Sequence, residues 1–339
     1  MLEINVNTFL NKVLTFLIII IASCFFWIFV DVSHILYSEI FNRSDLSKYY
    51  LYYTEIDNNL NLLEIILIHD NDRAYFVITY FLNKLGVSFE FFLFCLIFLF
   101  YFIVYRLFCE VTLSNRIIYL ICIILFSSFW MQSLLLVTLR QGFAFLIIVY
   151  FLFKKEKIGL FKKIILILFA ANIHGSAIMF IPYILIENKA LKNIRFIEIL
   201  FIFFLLGYFF DIPMSYASNI NDLFIYLNID SRSLMFFEQY DTAYKIGFSF
   251  NKFLAFIIPL IAFKLANYKK TYLNILTKRI YIYYLYSIML GIFLSGLVFH
   301  DRIFIYGWGI TPILLVYAIS SYSRIISLMN VVIKQFKIN

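Results

Sequence analysis

Long apolar stretches recur from one end of the chain to the other, with short polar segments between them. They fall at about 13–30, 89–106, 117–133, 137–153, 162–172, 175–187, 196–211, 250–266, 280–299 and 303–322. A hydrocarbon core about 30 Å thick takes about 20 apolar residues to cross as a helix. Inside lipid the backbone must satisfy its own hydrogen bonds, which leaves helices or a closed barrel. Barrel strands are about 10 residues long and alternate in polarity, and these stretches are longer and uniformly apolar. The pattern predicts an all-α, polytopic integral membrane protein of about ten transmembrane helices, with residues 1–339 forming one membrane domain.

The fifth and sixth stretches share one apolar run, Ile164 to Ile186, interrupted by Asn172-Ile173-His174-Gly175. Lys154, Lys155, Lys157, Lys162 and Lys163 precede that run; Lys189, Lys192 and Arg195 follow it. Both flanks carry the basic signature of a cytoplasmic segment. The chain is therefore expected to enter and return as a hairpin of two short helices, with His174 near the outer apex.

Counting charges tests this threading. With the N-terminus inside, cytoplasmic segments hold 19 Lys/Arg and 5 Asp/Glu, and external segments hold 9 and 15. The opposite orientation would put the basic excess outside, against the positive-inside bias, so both termini are expected in the cytoplasm. Two external loops are long enough to fold locally, about 31–88 and 212–249. The first has a Tyr-rich part, Asp45 to Glu55, and a stretch from Asp72 to Leu85 that suits an interfacial amphipathic helix. Asp70 or Asp72 is placed to cap it. Asp230-Ser231-Arg232-Ser233 sits at the centre of the second loop. The first apolar run, Val13 to Val30, lacks a small-x-small cleavage signal and is expected to stay as a helix.

Composition narrows the classes further. The chain is 64% apolar and 14% charged, against about 45–50% and about 25% in soluble domains. A net charge of +8 would suggest nucleic acid in a soluble protein; here it reports orientation, and no nucleic-acid partner is expected. Cys24, Cys95, Cys109 and Cys122 form no close pair, so neither a disulfide framework nor a metal site is expected. No nucleotide fingerprint or Gly-rich phosphate loop occurs.

Ionisable groups within or at the ends of spans are costly and therefore candidates for function. Four external arginines stand out, Arg73, Arg140, Arg232 and Arg302, with two histidines, His174 and His300. Arg140 lies in Thr138-Leu139-Arg140-Gln141-Gly142 at the outer start of the fourth span. A guanidinium stays protonated and presents a fork that matches phosphate oxygens; the alternative is an arginine snorkelling to the interface. His174 titrates in the range useful for proton transfer, although a lone histidine is more often a structural hydrogen-bonding group. His300-Asp301-Arg302 ends the ninth span on the outside, where Arg302 could hold a second phosphate and Asp301 orient it. External tyrosines such as Tyr49, Tyr52 and Tyr75 offer rings for stacking on sugars.

The segment Leu139-Arg140-Gln141-Gly142-Phe143-Ala144, a helix, a Lys-rich turn, and then Ala171-Asn172-Ile173-His174-Gly175-Ser176-Ala177 resembles the EpsG family of polysaccharide polymerases, a branch of the Wzy-type O-antigen and exopolysaccharide polymerases. Asp45 with the tyrosines after it resembles the family's upstream acidic and Tyr region. Arg73-Ala74-Tyr75-Phe76 with Lys84-Leu85-Gly86 resembles the loop helix that follows, but Asp72-Arg73-Ala74 stands where the family has an acidic-Pro-Gly lead-in. Arg302 with Phe304 and Tyr306 resembles the late Arg and Tyr element. The resemblance implies a GT-C-like architecture, no metal or other cofactor, and action on undecaprenyl-diphosphate-linked oligosaccharides at the outer leaflet of a bacterial inner membrane. Taken with the charges above, the expected catalytic residues are His174, Arg140 and Arg302, with Asp301 and Glu238 as alternative bases. The expected substrate-binding residues are Arg73, Arg232, Gln141, His300, Asp301 and Asp45. Membrane lipid and a chain-length regulator protein are the expected partners besides the glycan substrates. A flippase for the same lipid-linked repeat is the competing reading, followed by an acyltransferase, a glycan ligase and a scaffold.

Overall fold

A computed structural model of the chain describes residues 6–29, 45–59, 61–68, 72–112, 116–131, 138–153, 158–213, 215–216, 219, 247–267, 273–296 and 301–322. Among the described residues every regular element is helical and no strand occurs. The chain gathers into two compact units, Met1–Ile184 and Leu185–Asn339.

The first unit begins with α1 (Val6–Phe29). Three helices follow before the next long helix: α2 (Asp45–Asn59), α3 (Leu62–Ile68) and α4 (Arg73–Lys84). Next come α5 (Phe89–Thr112), α6 (Ile117–Met131), α7 (Leu139–Leu152) and α8 (Leu160–Ile173), and a 3-10 turn over Gly175–Phe180. The central member is α5, which packs on α1, α6 and α7. Its 24 residues rise about 36 Å, more than the hydrocarbon core needs. The amphipathic stretch read from the sequence is α4, with Tyr75, Phe76 and Thr79 buried. It packs on α2, α3 and α8. Gly86 takes the left-handed conformation that ends such a helix (φ 73°). Tyr53 on α2 donates from Oη to the Val87 carbonyl at 2.5 Å, and Asn83 Nδ2 donates to the Tyr53 carbonyl at 2.9 Å. These two bonds tie α2 to the exit of α4.

Between α8 and the 3-10 turn, His174 has extended backbone (φ −152°, ψ 118°), so the long apolar run is broken where the sequence reading put the break. The 3-10 turn packs on both α8 and α7. A further helix, α9 (Ile181–Lys192), follows directly.

The second unit holds α10 (Ile194–Phe209), α11 (Phe250–Asn267), α12 (Ile275–Phe293) and α13 (Asp301–Trp308), with residues 311–322 helical after a short turn. Its core is α12, on which α10 and α13 pack. Gly291 lets α12 and α13 approach: a Cβ there would stand 2.3 Å from the Phe304 ring. Glu187 and Arg279 form a buried ion pair at 2.5 Å, and Lys264 pairs with Glu198. The end of α10 and the lead-in to α11 meet. Asp211, at the end of α10, accepts the Phe248 N–H at 3.1 Å, and Tyr208 Oη accepts the Ser249 N–H at 3.0 Å.

Of the expected ten spans, four helices among the described residues are long and apolar enough to cross a membrane by themselves: Leu10–Ile28, Phe89–Thr112, Phe250–Asn267 and Arg302–Tyr322. Ile117–Ser128 and Leu139–Leu152 are shorter apolar helices. With 14 residues, α8 rises about 21 Å, short of the about 30 Å of hydrocarbon. Breaks at His174 and Asn193 divide the next stretches into α9 of 12 residues and α10 of 16. Outward faces of the long helices are apolar, as in Phe25, Ile28 and Phe203, each well exposed. Such faces suit lipid rather than water.

Candidate functional site

Arg140 is the second residue of α7, and its guanidinium is held from three sides within the first unit. Its Nε donates to Tyr49 Oη on α2 at 2.6 Å, and Nη1 donates to Asp72 Oδ2 at 2.5 Å. Its Cζ stands 4.9 Å from the Tyr49 ring centroid and 5.9 Å from that of Phe76, in cation–π range. Nη2 has no hydrogen-bond partner among the described residues. The guanidinium side chain is 23% exposed and the Asp72 side chain 10%.

The geometry of Asp72 corrects the capping role read from sequence. It occupies the N-cap position of α4 but makes no side-chain cap hydrogen bond. Its backbone is left-handed (φ 62°, ψ 29°), a conformation Asp tolerates better than most residues. Its carbonyl accepts the Tyr75 N–H at 3.0 Å. The carboxylate turns away from α4: Oδ2 takes Arg140, and Oδ1 accepts the Gly175 N–H at 3.1 Å. One carboxylate thus joins the start of α7, the start of α4 and the residue after His174.

His174 is half-buried. Its N–H donates to the Ala170 carbonyl at 2.9 Å, closing α8, and its own carbonyl accepts the Ala177 N–H at 3.0 Å. Nδ1 lies 2.6 Å from Ser176 Oγ, which fixes the ring's orientation. The aromatic wall comes from Tyr49, Tyr75 and Phe76, with Tyr49 and Tyr75 edge-to-face at 5.5 Å. Burial, with the Tyr49 hydroxyl beside it, pushes the Tyr75 phenol well above its ordinary value against the pull of Arg140. Its Oη is buried with no hydrogen-bond partner among the described residues. Tyr49 and Tyr75 are therefore interior walls of the Arg140 site, closed to a stacking sugar, whereas Tyr52 is exposed.

The remaining candidates divide by position. Gln141 is fully buried on α7, and Arg73 is exposed beside Asp72 on α4. Asp45 and Asp301 are the first residues of α2 and α13, with side chains outside the described residues. Arg232, Glu238 and His300 also lie outside them. Arg302 is half-buried in the first turn of α13, in the second unit. Among these candidates, then, the structure joins Arg140 and the His174 turn through a shared carboxylate, and it adds Asp72 to the group.

The EpsG family profile matches residues 9–335, nearly the whole chain. The chain belongs to the EpsG family. Members of this family are Wzy-type polymerases, and the match agrees with an all-helical membrane protein. No curated protein and no solved structure matches the chain.

Proposed function

We propose that this EpsG-family protein is a metal-independent glycosyltransferase that joins undecaprenyl-diphosphate-linked oligosaccharide repeat units at the outer leaflet of the bacterial inner membrane, producing O-antigen or exopolysaccharide. The observation that carries the reading is the family match over residues 9–335. The fold assigned to it is a GT-C-like bundle of about ten spans with both termini cytoplasmic, in which the short helices on either side of His174 enter and return.

In the proposed reaction an acceptor hydroxyl of one lipid-linked repeat attacks the anomeric carbon of a growing glycan. A carbon–oxygen bond forms, the anomeric carbon–phosphate oxygen bond breaks, and undecaprenyl diphosphate leaves with the electron pair. Fixed guanidinium donors can stabilise that departing charge without a proton. Arg140 and Arg302 take this role first, then Arg232 and Arg73. His174 takes the acceptor's proton at Nε2, which requires Nδ1–H to donate to Ser176 Oγ. Gln141, His300, Asp301 and Asp45 contribute to holding the glycans, and a chain-length regulator acts as partner.

Deleting the gene and running the surface glycan on a gel tests the activity. The polymerase reading expects surface molecules carrying one repeat unit. Repeats trapped on the cytoplasmic side would instead identify a flippase, and wild-type chain lengths would remove the protein from this step altogether.

A further inference from the structure

We propose that Asp72 is the positioning residue of the Arg140 site: its carboxylate sets the guanidinium and the Gly175 backbone in one register, so that Nη2 is the edge offered to the phosphate oxygens of a diphosphate. The inference rests on the reading of Arg140 as a diphosphate ligand and extends it to a residue that this reading left out.

Asp72 is anchored at both ends. Its backbone accepts from Tyr75 N at 3.0 Å and Phe76 N at 3.4 Å, and the helix it opens is held by the buried face of Tyr75, Phe76 and Thr79. Its side chain uses one oxygen for a guanidinium and the other for a backbone N–H. The carboxylate therefore cannot swing aside without breaking contacts in three elements. Arg140 is constrained to match: Tyr49 takes Nε, Asp72 takes Nη1 and the Tyr49 ring covers one face of the guanidinium. Of the five guanidinium donors, those on Nη2 point to none of the described groups. A fork held at Nε and Nη1 delivers Nη2 with little entropy left to lose. Through Gly175, the same carboxylate fixes the turn that begins at His174. The proposed phosphate donor and the proposed base are thus held by one anchor.

Asp72 also carries a negative charge beside a group meant to bind an anion, and this separates positioning from simple electrostatics. As a mere counter-ion, Asp72 would compete with the ligand, and its neutralisation would strengthen anion binding. As the residue that aims Arg140, its loss would weaken binding although the site becomes more positive. The two roles predict opposite signs.

The test is binding of inorganic pyrophosphate to the full-length protein in detergent, by calorimetry, for wild type, Asp72→Asn and Asp72→Glu. Positioning predicts about tenfold weaker binding for Asp72→Asn, the size of one charge-assisted hydrogen bond. Asp72→Glu keeps the charge but moves it by one methylene, and it should also bind more weakly than wild type. Its result decides the matter should Asp72→Asn fail to fold. Wild-type binding that Asp72→Asn strengthens, or that both variants leave unchanged, overturns the inference and leaves the diphosphate reading of Arg140 standing. Absence of wild-type binding overturns both. An activity readout completes the set. Asp72→Asn should slow polymerisation by a smaller factor in an Arg140→Lys background than in wild type, because the fork it aims is already gone and only its Gly175 contact is left to lose. Losses that multiply in full would show that Asp72 does not act through Arg140 and reject the inference.

Discussion

Replacing Arg140 by lysine separates charge from geometry. A lysine ammonium keeps the positive charge beside Asp72, so that carboxylate, only 10% exposed, retains a counter-ion. What it loses is the fork: one nitrogen cannot reach Tyr49 Oη and Asp72 Oδ2 as Nε and Nη1 do and still offer a third donor to the proposed ligand. A hydrogen bond to a charged group contributes about 1.5–3 kcal/mol. Loss of the Nη2 contact to phosphate in the transition state should therefore slow polymerisation by roughly tenfold to a hundredfold, at about 1.4 kcal/mol per decade. Stability should change by less than about 1 kcal/mol, because the neutralised pair is preserved.

Arg140→Ala differs in kind. It strips Asp72 of the guanidinium and leaves a largely buried carboxylate with less compensation, which costs about 1–3 kcal/mol, below the full penalty because the Gly175 N–H still reaches Oδ1. Loss of activity in the alanine variant thus mixes a folding defect with a chemical one, and lysine is the cleaner probe. The assay is the surface-glycan ladder at matched membrane protein levels, with SDS-titration unfolding in mixed micelles as the stability measure. Wild-type ladder lengths in Arg140→Lys would refute a role for the fork. A lysine variant as unstable as the alanine variant would refute the electrostatic account of the pair.

Two further predictions concern the second unit. Glu187→Ala leaves Arg279 buried without its 2.5 Å partner and should destabilise by about 3–5 kcal/mol, while Glu187→Met with Arg279→Met should recover most of that loss; equal instability of the single and double variants in the same titration would reject the ion-pair account. Gly291→Ala places a Cβ 2.3 Å from the Phe304 ring at the contact of α12 and α13 and should cost about 1–3 kcal/mol through overpacking, with Phe304→Leu restoring part of it; an unchanged unfolding midpoint would show that α13 can move away freely.

Much of the first unit was legible because it follows local rules. The apolar residues of Asp72 to Leu85 suit an amphipathic helix, and α4 occupies Arg73–Lys84 with Tyr75, Phe76 and Thr79 inside. Lysines on both flanks of one apolar run required a break, and the chain breaks at His174. Arg140 drew notice as a fixed charge opening an apolar helix. Its partners were not legible. Asp72 lies 68 residues away and Tyr49 lies 91, and an Asp just before a helix fits the capping rule equally well. In a chain with 26 Tyr and 43 Phe, no single ring announces itself as the wall of a charged site. One available signal was the acidic excess assigned to the outside, since a buried external arginine requires an anion and the same layer supplies many. Where each helix stops was less legible: apolarity marks what lipid can accept but not helix length, and α8, α9 and α10 are 14, 12 and 16 residues long.

The Arg140–Asp72 pair constrains any diphosphate site built on it. Guanidinium and carboxylate at 2.5 Å carry no net charge as a pair, so Arg140 attracts a bound phosphate less than a lone arginine would and supplies mainly direction through Nη2. A diphosphate leaving group develops more negative charge as its bond to the sugar breaks, and that charge needs compensation from cations not already neutralised. The proposed mechanism therefore divides the labour. On the proposed reading Arg140, locked by Asp72 and Tyr49, orients the leaving group, and other cations provide the charge. On this division, the salt dependence of donor binding should change little in Arg140→Lys, because screening acts on net charge and leaves the direction of a hydrogen bond intact.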